Sequence, residues 1–445
     1  MSDITRRTIP YRLLHTYVKS VFPSFFRQIE VRGAENVPSD VPVIFAPNHQ
    51  CGLMDPLCVL FFQPDPVVFM ARADIFKNEL AKRFLRFLKI TPVFRIRDGY
   101  ENLSKNEAQF DLAKQVLLKH KKLCIMPEGR HGNQRTLKPL VKGIFRIAFA
   151  AEEALDPGQT VHIIPVGIDY SHYEHAGADL IVQYGTPIRV CDYMDQYREN
   201  AVQATLKLKQ DLQQAISSLM LDIRTLDRYE ELYPLACLSA PAYIENQGIT
   251  PTSARTLAGQ LFDARKAMSI RLDTMAAEQD PLLEQWTEIF KPIQGKDLFP
   301  TQWAEILQEP VSIAMHVFQG IIHLVLLPFS LLNAPAHLIA RKMNKAVEDK
   351  QMHTTFSFVV GLIVVPLVYL LAAIVLADWA DLGFARGLVS YGLMLIAARL
   401  AERWRQYNRL MNARLRLRFG KDSIRFQRMQ SAYKKGKRSL KKRLQ

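Results

Sequence analysis

Short apolar runs alternate with helix-period stretches through the first part of the chain. Runs at 41–46, 67–70, 91–94, 123–126, 162–168 and 180–184 have strand length, and 57–62, 78–88, 106–119 and 143–154 between them carry helical periodicity. Strands separated by helices predict an α/β domain over 40–194, a partly parallel sheet flanked by helices. Upstream, 8–29 mixes aromatic residues with Arg12, Lys19 and Arg27 and is interrupted by Pro23. It predicts two short interfacial helices within an N-terminal segment, 1–39; the competing reading is a helix packed on the domain's own core. Over 195–310 the pattern turns to long, charged helical periodicity, as at 204–223 and 254–275. Pro241, Pro251, Pro281 and Pro292 are expected to break this helical extension into pieces.

Beyond residue 311 the chain becomes membrane-like. Residues 356–377 run for 22 positions without a charge, long enough to span. Residues 379–398 supply a second span, with Arg386 able to snorkel. Together they predict a transmembrane hairpin, 356–398, in a C-terminal α-helical membrane region. Asp378 and Asp381 lie between the spans, while Arg341, Lys342, Lys345 and Lys350 precede them and a basic tail, 399–445, follows. That bias places both flanks in the cytosol. The segment 311–340 is apolar but holds His316, His323, Asn333, His337, Pro328 and Pro335. A single crossing there would put the α/β domain outside, so a re-entrant or interfacial segment bent at the prolines is expected, with a third span as the rival.

Charge sharpens this picture. The net charge is +15, and the tail from Arg399 onward carries all of it, leaving 1–398 neutral. Beside a membrane segment, the run 434–443 favours anionic headgroups, at about 1 kcal/mol per charge, over nucleic acid, and no nucleic-acid partner is expected. Cys51, Cys58, Cys124, Cys191 and Cys237 show no metal-ligand spacing and suggest a reducing compartment. The N-terminus lacks a signal-peptide pattern. The expectation is an integral membrane protein whose α/β domain and tail are cytoplasmic.

Candidate chemistry sits where predicted strands end. Pro47-Asn48-His49-Gln50-Cys51-Gly52-Leu53-Met54-Asp55-Pro56 joins a strand to a helix. His49 reads as a base and Asp55 as the group that fixes its tautomer, although Asp55 before Pro56 also reads as a helix N-cap. In the stretch 91–99, alternation puts Arg95 and Arg97 on one face, suited to a phosphate or simply to water. In Ile125-Met126-Pro127-Glu128-Gly129-Arg130-His131-Gly132, two glycines let the backbone approach a ligand while Glu128 and Arg130 can orient hydroxyls or phosphate; a plain turn is the alternative. Residues 163–170, with Pro165, read as a kinked core strand.

In this order and within about 120 residues, these four blocks together resemble the glycerolipid acyltransferase family, the glycerol-3-phosphate and 1-acylglycerol-3-phosphate acyltransferases. The resemblance covers about 40–190. It implies transfer of an acyl group from a thioester on coenzyme A or acyl carrier protein to a glycerol hydroxyl, with no cofactor beyond that co-substrate. It implies His49 and Asp55 as the catalytic pair and Asn48, Arg95 or Arg97, Glu128, Gly129 and Pro165 as substrate-binding positions. The partners implied are membrane lipids, the acyl donor and a glycerophosphate-type acceptor, with 1-acylglycerol-3-phosphate ahead of glycerol-3-phosphate or another lysolipid. A catalytically silent lipid-binding scaffold on the same fold is the reading from another class. Two departures matter. Five residues separate His49 from Asp55 where the family usually has four, so the pair meets only if the segment is a turn, because one extra residue on a helix rotates a side chain by about 100°. His131 stands where the family usually has Arg, leaving the phosphate ligand open among Arg130, His131 and Lys142.

Overall fold

The computed structural model describes residues 4–94, 105–250, 253–293, 298–308, 313–419 and 423–444. The chain divides into two units, one of residues 1–20, 31–169 and 181–222, the other of residues 21–30, 170–180 and 223–445.

The strands are β1 (Phe26–Arg32), β2 (Val43–Pro47), β3 (Val67–Arg72), β4 (Ile90–Val93), β5 (Lys122–Ile125), β6 (His162–Tyr170), β7 (Ala178–Tyr184) and β8 (Ile188–Arg189). They form one sheet in the order β1-β7-β6-β2-β5-β3-β4, with β8 on β6. β2 pairs in parallel with both β5 and β6, with Phe45 opposite Cys124 and Pro47 opposite Val166. β3 pairs in parallel with β4 and β5, and β8 runs antiparallel to β6. The fold is therefore α/β with a mostly parallel sheet. Strands buried on both faces read as unbroken apolar runs, which is why the pattern of 41–46 and 162–168 was legible.

Alternate positions Ile44 and Ala46, Val68 and Met70, and Leu123 and Ile125 join one core. Covering it are α4 (Lys105–Leu118), α5 (Gly143–Glu152) and α7 (Ala201–Leu219). The last is a difference from the sequence reading, which began the helical extension at 195. Ala204, Leu208, Leu212 and Ile216 recur every fourth residue and bury fully against the sheet's core, so this helix completes the α/β unit. The N-terminal stretch differs too. α1 (Ile9–Val21) forms, but after Pro23 the chain makes a 3₁₀ turn and then β1 instead of a second helix. Residues 28–32 alternate polar and apolar with period two, and pairing at the sheet's edge suits them better than a helix. α1 stacks Tyr11 edge-on against Phe87 of α3 (Glu79–Phe87) and leaves Ile9 and Leu13 exposed.

The second unit is helical: α8 (Tyr229–Asn246), α9 (Ala254–Ala277), α10 (Pro281–Phe290), α11 (Pro300–Gln308), α12 (Ile313–Lys345), α13 (His353–Trp379), α14 (Phe384–Phe419) and α15 (Ser423–Leu444). Pro281 opens α10 behind an Asp280 cap, as a proline at the first helical position should. Pro241 does not break the chain as expected; it lies inside α8 together with Pro234, in a helix buried on most of its surface. Pro251 lies outside the described residues. Three helices are long and apolar enough to cross a membrane: Val317–Lys345, Lys350–Trp379 and Phe384–Phe419. Pro328 and Pro335 lie within α12. Its second half is tied to α13 by the Tyr369 hydroxyl donating to the Phe329 carbonyl at 2.9 Å and by Asn344 donating to Ser357 at 3.2 Å.

The basic tail is not a loose arm. α15 buries Phe426, Met429, Tyr433 and Leu440 in the same core as Leu235, Trp286 and Leu307. Lys437 and Lys441 both pair with Glu245.

Candidate active site

Parallel pairing on both sides of β2 brings the loops that follow β2 and β5 to one edge of the sheet, the place where open α/β sheets hold ligands. The first loop is anchored by Asn48. Its amide nitrogen donates to the Ile168 carbonyl at 2.9 Å and its oxygen accepts from the Ile168 N–H at 2.7 Å, and the side chain is fully buried. Asn48 was expected to bind substrate. Both ends of its amide bond to the β6 backbone, which clamps the loop that carries His49.

The next residue is the candidate base. His49 Nδ1 lies 2.8 Å from Asp55 Oδ2. Residues 51–53 form a turn, and α2 (Met54–Phe61) begins after it, so the five-residue spacing is absorbed before the helix starts. Asp55 sits in the helix's first turn but does not cap it. The same Oδ2 accepts from the backbone N–H of Gln50 at 2.7 Å and of Cys51 at 2.8 Å, fastening the turn itself. The Asp55 side chain is 0 % exposed and that of His49 14 %, so the carboxylate is sealed while the imidazole keeps a small exposed area.

The loop after β5 completes the floor. Glu128 Oε1 accepts from the His49 N–H at 2.6 Å, and Oε2 accepts from the Lys138 N–H at 3.1 Å. Burial pushes the Glu128 carboxyl up to about 7, against the pull of those two hydrogen bonds. Gly129 adopts φ +65°, the left-handed region that glycine enters without strain, and a Cβ there would press on Val141 at 3.2 Å. Gly132 passes so near Lys138 that a Cβ would overlap its Nζ, and the Gly132 N–H donates to the His49 carbonyl at 3.3 Å. His131 stands edge-on to the His49 ring, centroids 5.5 Å apart. Arg130 and Lys142 are exposed, and their side chains make no hydrogen bond or ion pair with any described residue.

The structure thus joins His49, Asp55, Glu128, Gly129 and His131 directly. Pro165 stands apart from them: it is buried inside β6 opposite Ala46, within the sheet. Arg95 and Arg97 lie outside the described residues. The sequence reading did not single out Lys138, whose Nζ donates to the His131 carbonyl at 2.5 Å. Nor did it single out the buried pair Arg135–Asp169 at 3.2 Å. Asp169 closes the Pro165 block, the one signal that pointed toward that pair.

Residues 28–169 match the family model described as Acyltransferase. Among curated proteins the chain is similar to glycerol-3-phosphate O-acyltransferase 2 of Saccharomyces cerevisiae, 23% identical over 301 residues, 64% of this chain and 39% of that protein. It therefore spans about two fifths of the length of that relative. Among solved structures it is similar to the 1-acyl-sn-glycerophosphate (LPA) acyltransferase of Thermotoga maritima, with 18% identity, coverage of 47% of this chain and 79% of that one, and a TM-score of 0.35.

Proposed function

From the match of residues 28–169 to the Acyltransferase family model and the similarity to a glycerol-3-phosphate O-acyltransferase, we propose that this chain is a glycerolipid acyltransferase that moves a fatty acyl group from a thioester of coenzyme A or acyl carrier protein to the hydroxyl of 1-acylglycerol-3-phosphate. The observation that carries the reading is the 2.8 Å contact between a sealed carboxylate and an imidazole that is not wholly buried.

A glycerol hydroxyl is a weak nucleophile at neutral pH. With Asp55 accepting from Nδ1–H, His49 presents an unprotonated Nε2 outward and takes the hydroxyl proton as the oxygen attacks the thioester carbonyl. The new C–O bond forms, the tetrahedral intermediate collapses, the C–S bond breaks, and the imidazolium returns its proton to the departing thiolate. Asp55 holds the cation between these steps. Glu128 fixes the base's backbone from behind, while Arg130 and Lys142 supply cations for the phosphate, since neither is committed to another described side chain. Glycerol-3-phosphate is the second reading, favoured by a similarity to the yeast enzyme that runs over 301 residues, beyond the α/β unit.

The test is purified protein, labelled acyl-CoA or acyl carrier protein, and a panel of acceptors. Product with a glycerophosphate acceptor, reduced about 10²- to 10⁴-fold by His49→Ala, is the expected result. A folded, lipid-binding protein that turns over no acceptor would instead make it a silent scaffold.

A further inference from the structure

The second unit contains a cavity of about 600 Å³, within the usual range for small-molecule sites. It is lined entirely by residues of that unit. Part of the lining is apolar: Ala240, Pro241 and Ile244 of α8 with Leu257, Ala258 and Leu261 of α9. Another part is the charged half of α14, where Arg403, Arg409 and Arg414 follow the apolar stretch that ends at Ala398.

The charges there do not balance. Arg27 engages two of the lining acids in paired hydrogen bonds, Asp179 at 2.6 and 2.8 Å and Glu305 at 2.7 and 2.8 Å. The third acid, Glu245, is held by Lys437 and Lys441. Every lining carboxylate is thus neutralised. Arg403 and Arg409, in contrast, make no hydrogen bond or ion pair with any described residue. The excess is felt nearby: burial first, then the Arg409 guanidinium and His353, push the His175 imidazole down to about 4. Two guanidiniums that no carboxylate hydrogen-bonds, Arg409 having only the more distant Glu174 charge, line the same cavity as apolar side chains and are complementary to a molecule with an anionic head and a hydrocarbon tail. Their position also fits, since α14 acquires its charges where a helix leaves the hydrocarbon layer.

We propose that this cavity is a second lipid site, separate from the His49 site, which takes a single-chain anionic amphiphile with its head on Arg403 and Arg409 and its chain along α8 and α9.

The probe is hexadecyl phosphate bearing a diazirine near the chain end, which has no hydroxyl to acylate. Full-length protein in detergent micelles is irradiated and the adducts are mapped by peptide mass. Adducts on α8 and α9 are expected, reduced at least about tenfold by Arg403→Gln/Arg409→Gln, as loss of charge-assisted hydrogen bonds predicts. Leu261→Trp, which fills the apolar part of the lining and leaves the arginines in place, is expected to remove the same adducts. Labelling of the lipid-facing side of α13 serves as the control for folding and micelle uptake. Equal labelling by an uncharged alkyl glycoside analogue would overturn the proposal, as would α8 and α9 adducts that persist in both variants. Loss of labelling in millimolar inorganic phosphate would also overturn it, because the site would then recognise the head alone.

Discussion

A single oxygen of Asp55 accepts from His49 Nδ1, Gln50 N–H and Cys51 N–H in the first unit. That arrangement makes Asp55→Asn informative. Asparagine must turn its carbonyl to the three donors, because its NH₂ would face them donor to donor, so the turn keeps its bonds while the imidazolium loses its counter-charge. Turnover should fall by about 10²-fold or more with a folded protein and a little-changed acceptor KM. An unaltered rate would remove Asp55 from the mechanism. Glu128 offers a test by pH. Its carboxyl titrates near 4.5 when exposed and at about 7 in the fold. Between those values the unfolded chain has released the proton and the folded chain still holds it, so stability falls as pH rises through the window and levels off above it. The loss amounts to about 3 kcal/mol. Glu128→Gln has no such proton, so the melting temperature of the wild type relative to the variant should decline from pH 5 to 7; a constant difference would show that burial has not shifted the acid. The pairing of His49 with Asp55 was visible in sequence because both flank a strand-to-helix junction. The role of Asn48 was not, because its partner, Ile168, lies 120 residues away and is recognised only through its backbone.

At the scale of elements, the sheet and its crossing helices were legible because strands buried on both faces leave unbroken apolar runs. What misled was charge. Lysines and arginines dominate 399–445, and they masked Phe426, Met429, Tyr433, Gly436 and Leu440, spaced three and four apart as on one face of a helix. Gly436 belongs to that face, since a Cβ there would lie 2.4 Å from the Phe290 ring. α15 is therefore part of a core. Truncation after residue 419 should leave an aggregation-prone protein, and Leu440→Ala should cost about 2–5 kcal/mol, read as a lowered unfolding midpoint in detergent. A monodisperse truncate with an unchanged midpoint would show that the tail is dispensable. β1 was missed for a related reason: Phe25, Phe26 and Arg27 continue the aromatic–basic character of α1, and only the period-two alternation beyond them marks a strand.

For the molecule as a membrane protein, the packing of α15 fixes a parity. α8, α10 and α11 precede the three span-length helices in the chain and α15 follows them, yet all four contribute side chains to one core. A shared core predicts that both ends of the membrane region lie on the same side of the bilayer, and with it an even number of crossings among α12, α13 and α14. α13 is the strongest candidate by hydropathy, and α14 is joined to it by a four-residue turn, 380–383. α12 holds two prolines inside one unbroken helix and leaves Val317, Phe318, Ile321, Leu324 and Val325 exposed in its first half, as α13 leaves Ile363, Leu371 and Val375. The expected topology has α13 and α14 as a crossing hairpin, with α12 beside them not completing a third crossing. Single cysteines at Asp381, Gln308 and Ser431, in a background with the native thiols removed, test this with a membrane-impermeant maleimide on sealed vesicles. Positions 308 and 431 should react from the same side and 381 from the other. Labelling of 308 and 431 from opposite sides would mean three crossings, and the shared core could not exist in the membrane.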